Sequence, residues 1–504
     1  MTRTTEPLGD AVAPPPAETA PRPEIPHRVV LAGMVALISL AAFEALGTTT
    51  AMPAVAAALD GLGMYAVAFA TSLATSIVGM TLAGGWADRR GPNPPLIAGV
   101  TTFVAGLVVA GSAHQMVVVV AGRALQGIGT GLFIVALYVL VARVFAPEQR
   151  PKVFAAFAAA WVVPSIVGPA LAGLVVDHIG WRWVFLGAAV LVVPTLALLA
   201  PGLRAASRGS QDAADDAAAP GDALAATRRV WWAVGVAAGL AVTNLAGARI
   251  AGDGPAGHGD AELPAAGGLD VAPLDVVLAV VGLVVVLVCA VPLVPRGTLR
   301  AAPGLPSVMV TRASASGAFS GTEAFLPLLL ITQRGLTPAL AGIILTVGGV
   351  SWSTAAWLRG RDRLSSRDCL RYGGLSIAVG IGVAGLLLVP AIPVAVGMVG
   401  WALVGFGMGL AHPTTSLRTL ELSPVADQGR NSAAVQVSDA LGGALLLTTV
   451  GTATTALLGV IGSGAFVLAM AASGLLGVAV AVLATRAGGV PSPAARTLDA
   501  SASH

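Results

Sequence analysis

Inside an apolar run from Val117 to Val141, the stretch GRALQGIGTGL at 122–132 holds one cation, Arg123, and one amide, Gln126, with no other charge in the run. A guanidinium stays protonated and is costly to bury alone, so Arg123 needs an acid partner or a path to water. Glycine then recurs at Gly127, Gly129 and Gly131. Gly127 and Gly131 follow Arg123 at i+4 and i+8, so on a helix they share nearly its face and let a second helix come close there. Of 25 acidic residues, only Glu44, Glu323 and Asp439 fall well inside apolar runs. Desolvation works against the charged form of a carboxyl, which makes such acids candidates for loading and releasing protons and for attracting cations. Glu323 sits in TRASASGAFSGTEAFLP, a stretch too rich in hydroxyls and glycine to face lipid. Asp439 follows Gln436, and His412 closes another apolar run, where it reads as an interfacial residue. By helical rise, Arg123 and Glu44 lie about 9 and 8 Å from the same end of their runs, so a pair between them is expected.

These residues have to be positioned by membrane helices. The chain has 504 residues, of which 56% are hydrophobic and 11% charged, with a mean hydropathy of +0.85. That is far from the composition of a soluble globular domain. The apolar runs are long and do not alternate, which selects helices over a barrel. Cys289 lies in an apolar run and Cys369 in an Arg-rich loop, so there is no disulfide framework and no metal-ligand spacing. Nothing points to nucleic acid, a metal or a cofactor. Residues 1–28 and 485–504 read as polar, disordered tails.

Candidate spans fall at 29–51, 65–86, 96–113, 117–140, 153–175 and 183–200, then at 230–247 and 274–294, and finally at 313–332, 339–357, 373–390, 393–413, 431–452 and 459–484. The total is fourteen. With the N-terminus inside, 24 of the 28 basic residues fall in cytoplasmic segments, Arg182, Arg249 and Arg334 fall outside, and only Arg123 is left within a span. Both termini and the Ala/Asp-rich, patternless linker 201–229 are therefore expected in the cytoplasm, and the loop at 248–273 outside. The single lysine, Lys152, suits a GC-rich bacterial genome, and the expected location is the bacterial inner membrane. A twelve-span arrangement with a peripheral hairpin at 230–294 stays open.

The chain also repeats itself. GWALVGFGMGL at 400–410 keeps seven of the eleven residues of 122–132 at an offset of 278 but lacks the arginine, and Glu323 echoes Glu44 at an offset of 279. Two six-helix halves are implied, 29–200 and 295–484, with 230–294 inserted between them as a helix pair. The expected fold is thus an all-α integral membrane protein of two pseudo-symmetric bundles plus that pair. Repeats of this kind place the substrate site near the midplane, between the halves.

Further motifs sharpen the picture. GGWADRRGPNPP at 84–95 ends the second span, with Gly84 one turn before Asp88. The glycine would permit a close helix contact on the face of the carboxylate, which could then bond a helix N-terminus or an arginine in one conformation only. This Gly84, Asp88, Arg89, Gly91 pattern resembles the loop signature of the major facilitator superfamily, and Arg123 with Gln126, Gly127, Gly129 and Gly131 resembles its span-4 signature. PSIVGPALAG at 164–173, with Pro164, Gly168, Pro169 and Gly173, is similar to the span-5 motif of its antiporters. WRWVF at 181–185 is similar to the start of span 6 in its fourteen-span drug:proton antiporters. Pro92 and Asn93 stand where the loop signature has basic residues, Pro164 and Ala172 replace glycines of the span-5 motif, and Glu44 stands where the fourteen-span antiporters have an aspartate.

The resemblance implies a proton-coupled secondary transporter that exports small amphipathic or cationic compounds by alternating access. Its partners would be protons, a small-molecule substrate and the lipid bilayer, and its functional unit a monomer. Export or facilitation of a metabolite or lipid on the same fold is the alternative. A membrane enzyme is not expected, because no paired catalytic groups, nucleophile motif or ATP-binding loop is present in the sequence.

Overall fold

The computed structural model of the chain describes residues 27–145, 149, 153, 156–157, 159–212, 220–250, 272–359, 364–424 and 428–488; the side chains of residues 88, 142–143, 201–202, 204–212, 220–226 and 428–430 lie outside that description. Every regular element among the described residues is helical. The first half contains α1 (His27–Ala58), α2 (Tyr65–Arg90), α3 (Asn93–Gly111), α4 (Met116–Val144), α5 (Val162–His178) and α6 (Arg182–Asp212). Next come α7 (Pro220–Ile250) and α8 (Pro273–Ala290). The second half contains α9 (Leu305–Arg334), α10 (Pro338–Arg359), α11 (Ser366–Gly385), α12 (Val394–Glu421), α13 (Gln428–Leu446), α14 (Thr452–Ile461) and α15 (Ala465–Gly488). A π-helical turn, Leu447–Gly451, joins α13 to α14 in one rod, and the chain reverses at Gly462, whose φ of +56° favours glycine.

Among the described residues, twelve segments are long and apolar enough to cross a membrane, against the expected fourteen. The difference arises in two places. Helix α5 has 17 residues, about 26 Å at helical rise and short of a full crossing, and 431–488 count as a single stretch although the chain turns at Gly462. Both helices of the inserted pair are among the twelve, as Thr227–Ile250 and Pro273–Leu293. The stretch 201–229, expected to lack structure, is helical at both ends, because α6 runs on to Asp212 and α7 begins at Pro220. Alanine is the strongest helix former, so an Ala-rich polar segment can extend the helices beside it. The expected tails, apart from His27 and Arg28 at the start of α1 and 485–488 at the end of α15, and most of the 248–273 loop lie outside the described residues.

The helix contacts repeat between the halves. Helix α4 packs on α2 and α3 as α12 packs on α10 and α11, and α1 packs on α5 and α6 as α9 packs on α13 and α15. The halves meet along two seams that are themselves equivalent, α5 against α10 and α2 against α13. In both, close contacts run from the middle of the helices toward the face opposite the one where α1 begins and α15 ends, here termed the terminal face. Gly173 abuts Ala339 and Gly342 abuts Pro169 in one seam, while Gly443 meets Leu73 and Gly451 meets Ala66 in the other. The inserted pair breaks the symmetry. Helix α7 packs on α2, and Ala233, Val236 and Leu240 of α7 join Ile77 of α2 and Leu441 of α13 in one apolar cluster, so the pair covers the α2–α13 seam.

Candidate functional site

The alternating glycines of α4 serve two neighbours at once. A Cβ on Gly127 or Gly131 would collide with backbone of α2 at Ser72 or Ser76, and one on Gly129 with backbone of α3 at Gly99 and Phe103. The equivalent glycines of α12 do the same: Gly405 and Gly409 lie on α10 at Gly348 and Trp352, and Gly407 lies on α11 at Gly373. A glycine at every second position alternates between two flanking helices, so the repeat is one of packing.

Close packing brings Arg123 to Glu44. Arg123 is buried and does not reach the bilayer surface; its Nη1 lies 2.7 Å from Glu44 Oε1 and donates to Gln126 Oε1 at 2.6 Å, while its Nε points to the Ala68 carbonyl at 3.5 Å. Thr48 donates a further hydrogen bond to Glu44 Oε1 at 2.8 Å. Glu44 is thus neutralised and hydrogen-bonded within the first half.

The second half has its own buried cation, which the sequence reading left in a loop. Arg312 is 1% exposed inside α9, with its Nε 2.5 Å from Asp439 Oδ1 of α13. Its Nη1 donates to the His412 carbonyl at 2.9 Å and to Thr415 Oγ1 at 3.1 Å, and its Nη2 to Gln436 Oε1 at 3.3 Å. His412 Nε2 stands 3.9 Å from Asp439 Oδ1, so His412 adjoins this cluster. Span 9 was expected to begin at residue 313, whereas α9 begins at Leu305. The serines and threonines of 307–316 lower hydropathy without breaking a helix. The pointer available in sequence was Asp439 itself, since an intramembrane acid calls for a cation.

Glu323 is placed differently. It is half-buried on α9 and makes no hydrogen bond or ion pair to a described residue. Arg312, on the same helix, is eleven residues away, about 16 Å along the axis, and is engaged elsewhere. Trp401, which occupies the place of Arg123 in the repeat, donates to the Leu345 carbonyl at 2.9 Å. One turn before Glu323, Phe319 stacks on Trp401 at 5.3 Å and meets Trp352 edge-on at 5.1 Å, and Trp352 in turn lies 5.5 Å from His412. A wall of aromatic rings therefore runs from Glu323 to the Arg312–Asp439 pair.

The remaining motif residues divide. Pro169 and Gly173 form the α5 side of the α5–α10 seam, beside Ser165, against which Gly349 packs. Pro164 and Gly168 are buried, and Gly168 faces Phe43 of α1 at ordinary contact distance. Gly91 ends α2 with a φ of +78°, which glycine takes readily. Arg89 is exposed, and the Asp88 side chain lies outside the described residues. Gly84 does not make the close helix contact expected of it: a Cβ there meets no atom within 4 Å. The seams close at the opposite face, so the terminal end of α2 has no helix pressed onto that glycine.

Two helical bundles related by a repeat, meeting along equivalent seams and each holding a buried arginine paired with a carboxylate, have the architecture of a membrane transporter. The family model of the Major Facilitator Superfamily matches residues 34–447, and the chain belongs to that superfamily. Among curated relatives, the chain is 30% identical over 157 residues to Multidrug transporter protein MdtP of Bacillus subtilis (strain 168), which is 31% of this chain and 29% of that protein. It is 29% identical over 158 residues to Multidrug resistance protein 3 of the same organism, covering 31% of each. The match thus spans less than a third of either relative. Among solved structures, the crystal structure of peptide transporter POT in complex with sulfate superposes with a TM-score of 0.61 at 17% identity, covering 91% of this chain and 95% of that one. That likeness carries the fold alone.

Proposed function

We propose that the protein is a proton-coupled exporter of small amphipathic or cationic compounds, working by alternating access of the space between its bundles. One observation carries this reading: of the three acids expected within spans, Glu44 and Asp439 are each paired with an arginine, while Glu323 has no ionic partner. A carboxyl between two moving bundles, without a fixed counter-ion, can exchange a proton for a cationic substrate as its surroundings change. The rings of Phe319, Trp352 and Trp401 beside it suit flat, apolar or cationic molecules. The multidrug names of the two Bacillus relatives support the same substrate class.

The Glu44–Arg123 pair then holds the first bundle rigid, and Gly84, Asp88, Arg89 and Gly91 form the gate that closes at the terminal face. That face is the cytoplasmic one on the distribution of basic residues, in a bacterial inner membrane, and one chain is the working unit. The test is accumulation of a panel of cationic and neutral compounds by cells lacking or overproducing the protein, with and without an uncoupler. Export that lowers accumulation and fails on uncoupling is expected; transport indifferent to the pH gradient would favour passive or differently driven movement of a metabolite or lipid.

A further inference from the structure

At the terminal face, a cavity of about 300 Å³ opens between the end of α2 and the start of α7, lined by Leu82, Gly85, Arg89, Thr227, Val230 and Trp231. Its depth in the membrane follows from its walls. Arg89 and Arg90 end α2, and Arg228 and Arg229 precede Val230 in α7, so on both walls charge adjoins apolar sequence at this level. The change from apolar to charged sequence puts the cavity at the level where hydrocarbon gives way to headgroups, with Leu82 and Val230 on the apolar side and Arg89 beyond it. Gly85 keeps the α2 wall free of a side chain at the level between them.

Charge and ring chemistry agree on what fits. Arg89 is exposed and makes no ion pair or hydrogen bond to a described residue. Arg90, Arg228 and Arg229, each next in sequence to a residue of the cavity wall, are exposed as well. Asp88 is the one acid in the sequence of α2. Trp231 is 69% exposed in the cavity wall, in the position where an indole sits at the membrane–water boundary. A basic pocket between helices at headgroup depth, with an apolar wall leading into the bilayer, binds a phosphodiester that carries acyl chains.

We infer that this cavity holds the headgroup of an anionic glycerophospholipid, with its phosphate on Arg89, its glycerol backbone against Trp231 and an acyl chain along Leu82 and Val230. The lipid ties the inserted pair to the end of α2. This site is defined by binding and does not depend on the transported substrate or on proton coupling.

The experiment uses the purified full-length protein and counts bound lipid by native mass spectrometry while phosphatidylglycerol, phosphatidylcholine or free glycerol 3-phosphate is added. Phosphatidylglycerol is expected to bind more tightly than phosphatidylcholine, and glycerol 3-phosphate not to compete at equal concentration. Arg89→Gln is expected to weaken phosphatidylglycerol binding about fivefold, with Arg89→Lys recovering most of it. Trp231→Ala is expected to weaken it while Trp231→Phe does not, and Arg300→Gln, at the start of the second half, is expected to change nothing. Unchanged phosphatidylglycerol affinity in both Arg89→Gln and Trp231→Ala would overturn the assignment. So would equal binding of phosphatidylcholine, and full competition by glycerol 3-phosphate would make this a site for a soluble phosphate ester instead.

Discussion

The Tyr65 hydroxyl of the first bundle donates a 2.6 Å hydrogen bond to the main-chain carbonyl of Ala324, the residue that follows Glu323 in the second. The tyrosine is fully buried, and its ring also meets Phe325 at 5.9 Å. The closed side of the transporter is thus latched next to Glu323, which pairs with no described residue. Glu323 is therefore one residue away from a point where the halves touch.

Tyr65→Phe removes the latch and little of the packing. The hydrogen bond contributes about 1 kcal/mol, so the closed population is expected to fall about fivefold relative to the open one. Labelling of a cysteine placed at Gly451, near Ala66 on the same seam, is expected to quicken accordingly in a background without Cys289 and Cys369.

Arg123→Ala leaves the buried Glu44 carboxylate without its cation, a loss of roughly 3–5 kcal/mol for a buried pair broken on one side. Glu44→Gln in the same chain removes the stranded charge. The double variant is therefore expected to melt well above Arg123→Ala in a thermal scan of the detergent-solubilised protein, and equal melting would show that the two side chains are not coupled.

Gly131→Leu and Gly409→Leu push side chains into equivalent contacts, one against α2 at Ser76 and the other against α10 at Trp352. Both are expected to lower the yield of folded protein severely. Gly84→Leu, which enters open space, is expected to spare folding. Yield by fluorescence size-exclusion separates the two groups.

Asp88→Asn is expected to slow transport strongly while surface expression and substrate binding persist, because the proposed gate needs the charge and the binding space does not. Wild-type transport in that variant would reduce the 84–91 turn to a marker of topology.

Much of this architecture is legible in the chain. The helical, membrane-embedded class follows from unbroken apolar runs, and the offset of 278 between the two glycine stretches corresponds to a real equivalence of contacts, α4 on α2 and α3 against α12 on α10 and α11. Helical rise alone put Glu44 and Arg123 at one depth, and the two side chains meet at 2.7 Å. What escaped was set by composition. Hydroxyl-rich turns hid eight residues of α9 and with them Arg312, and alanine carried α6 and α7 into what reads as a linker. The pairing of Asp439 depends on a contact with Arg312, 127 residues away on another helix, and no local spacing encodes it.

We propose above that Glu323 exchanges a proton for substrate, and proton release measures this directly. Purified protein in weakly buffered detergent solution, mixed with a transported cationic compound between about pH 6 and pH 9, should release protons in the wild type and in Asp439→Asn, and release none in Glu323→Gln, although that variant still binds the compound. Reconstituted Glu323→Gln should likewise lose uphill transport driven by a pH gradient while keeping downhill exchange. Normal proton release and uphill transport by Glu323→Gln would contradict the account.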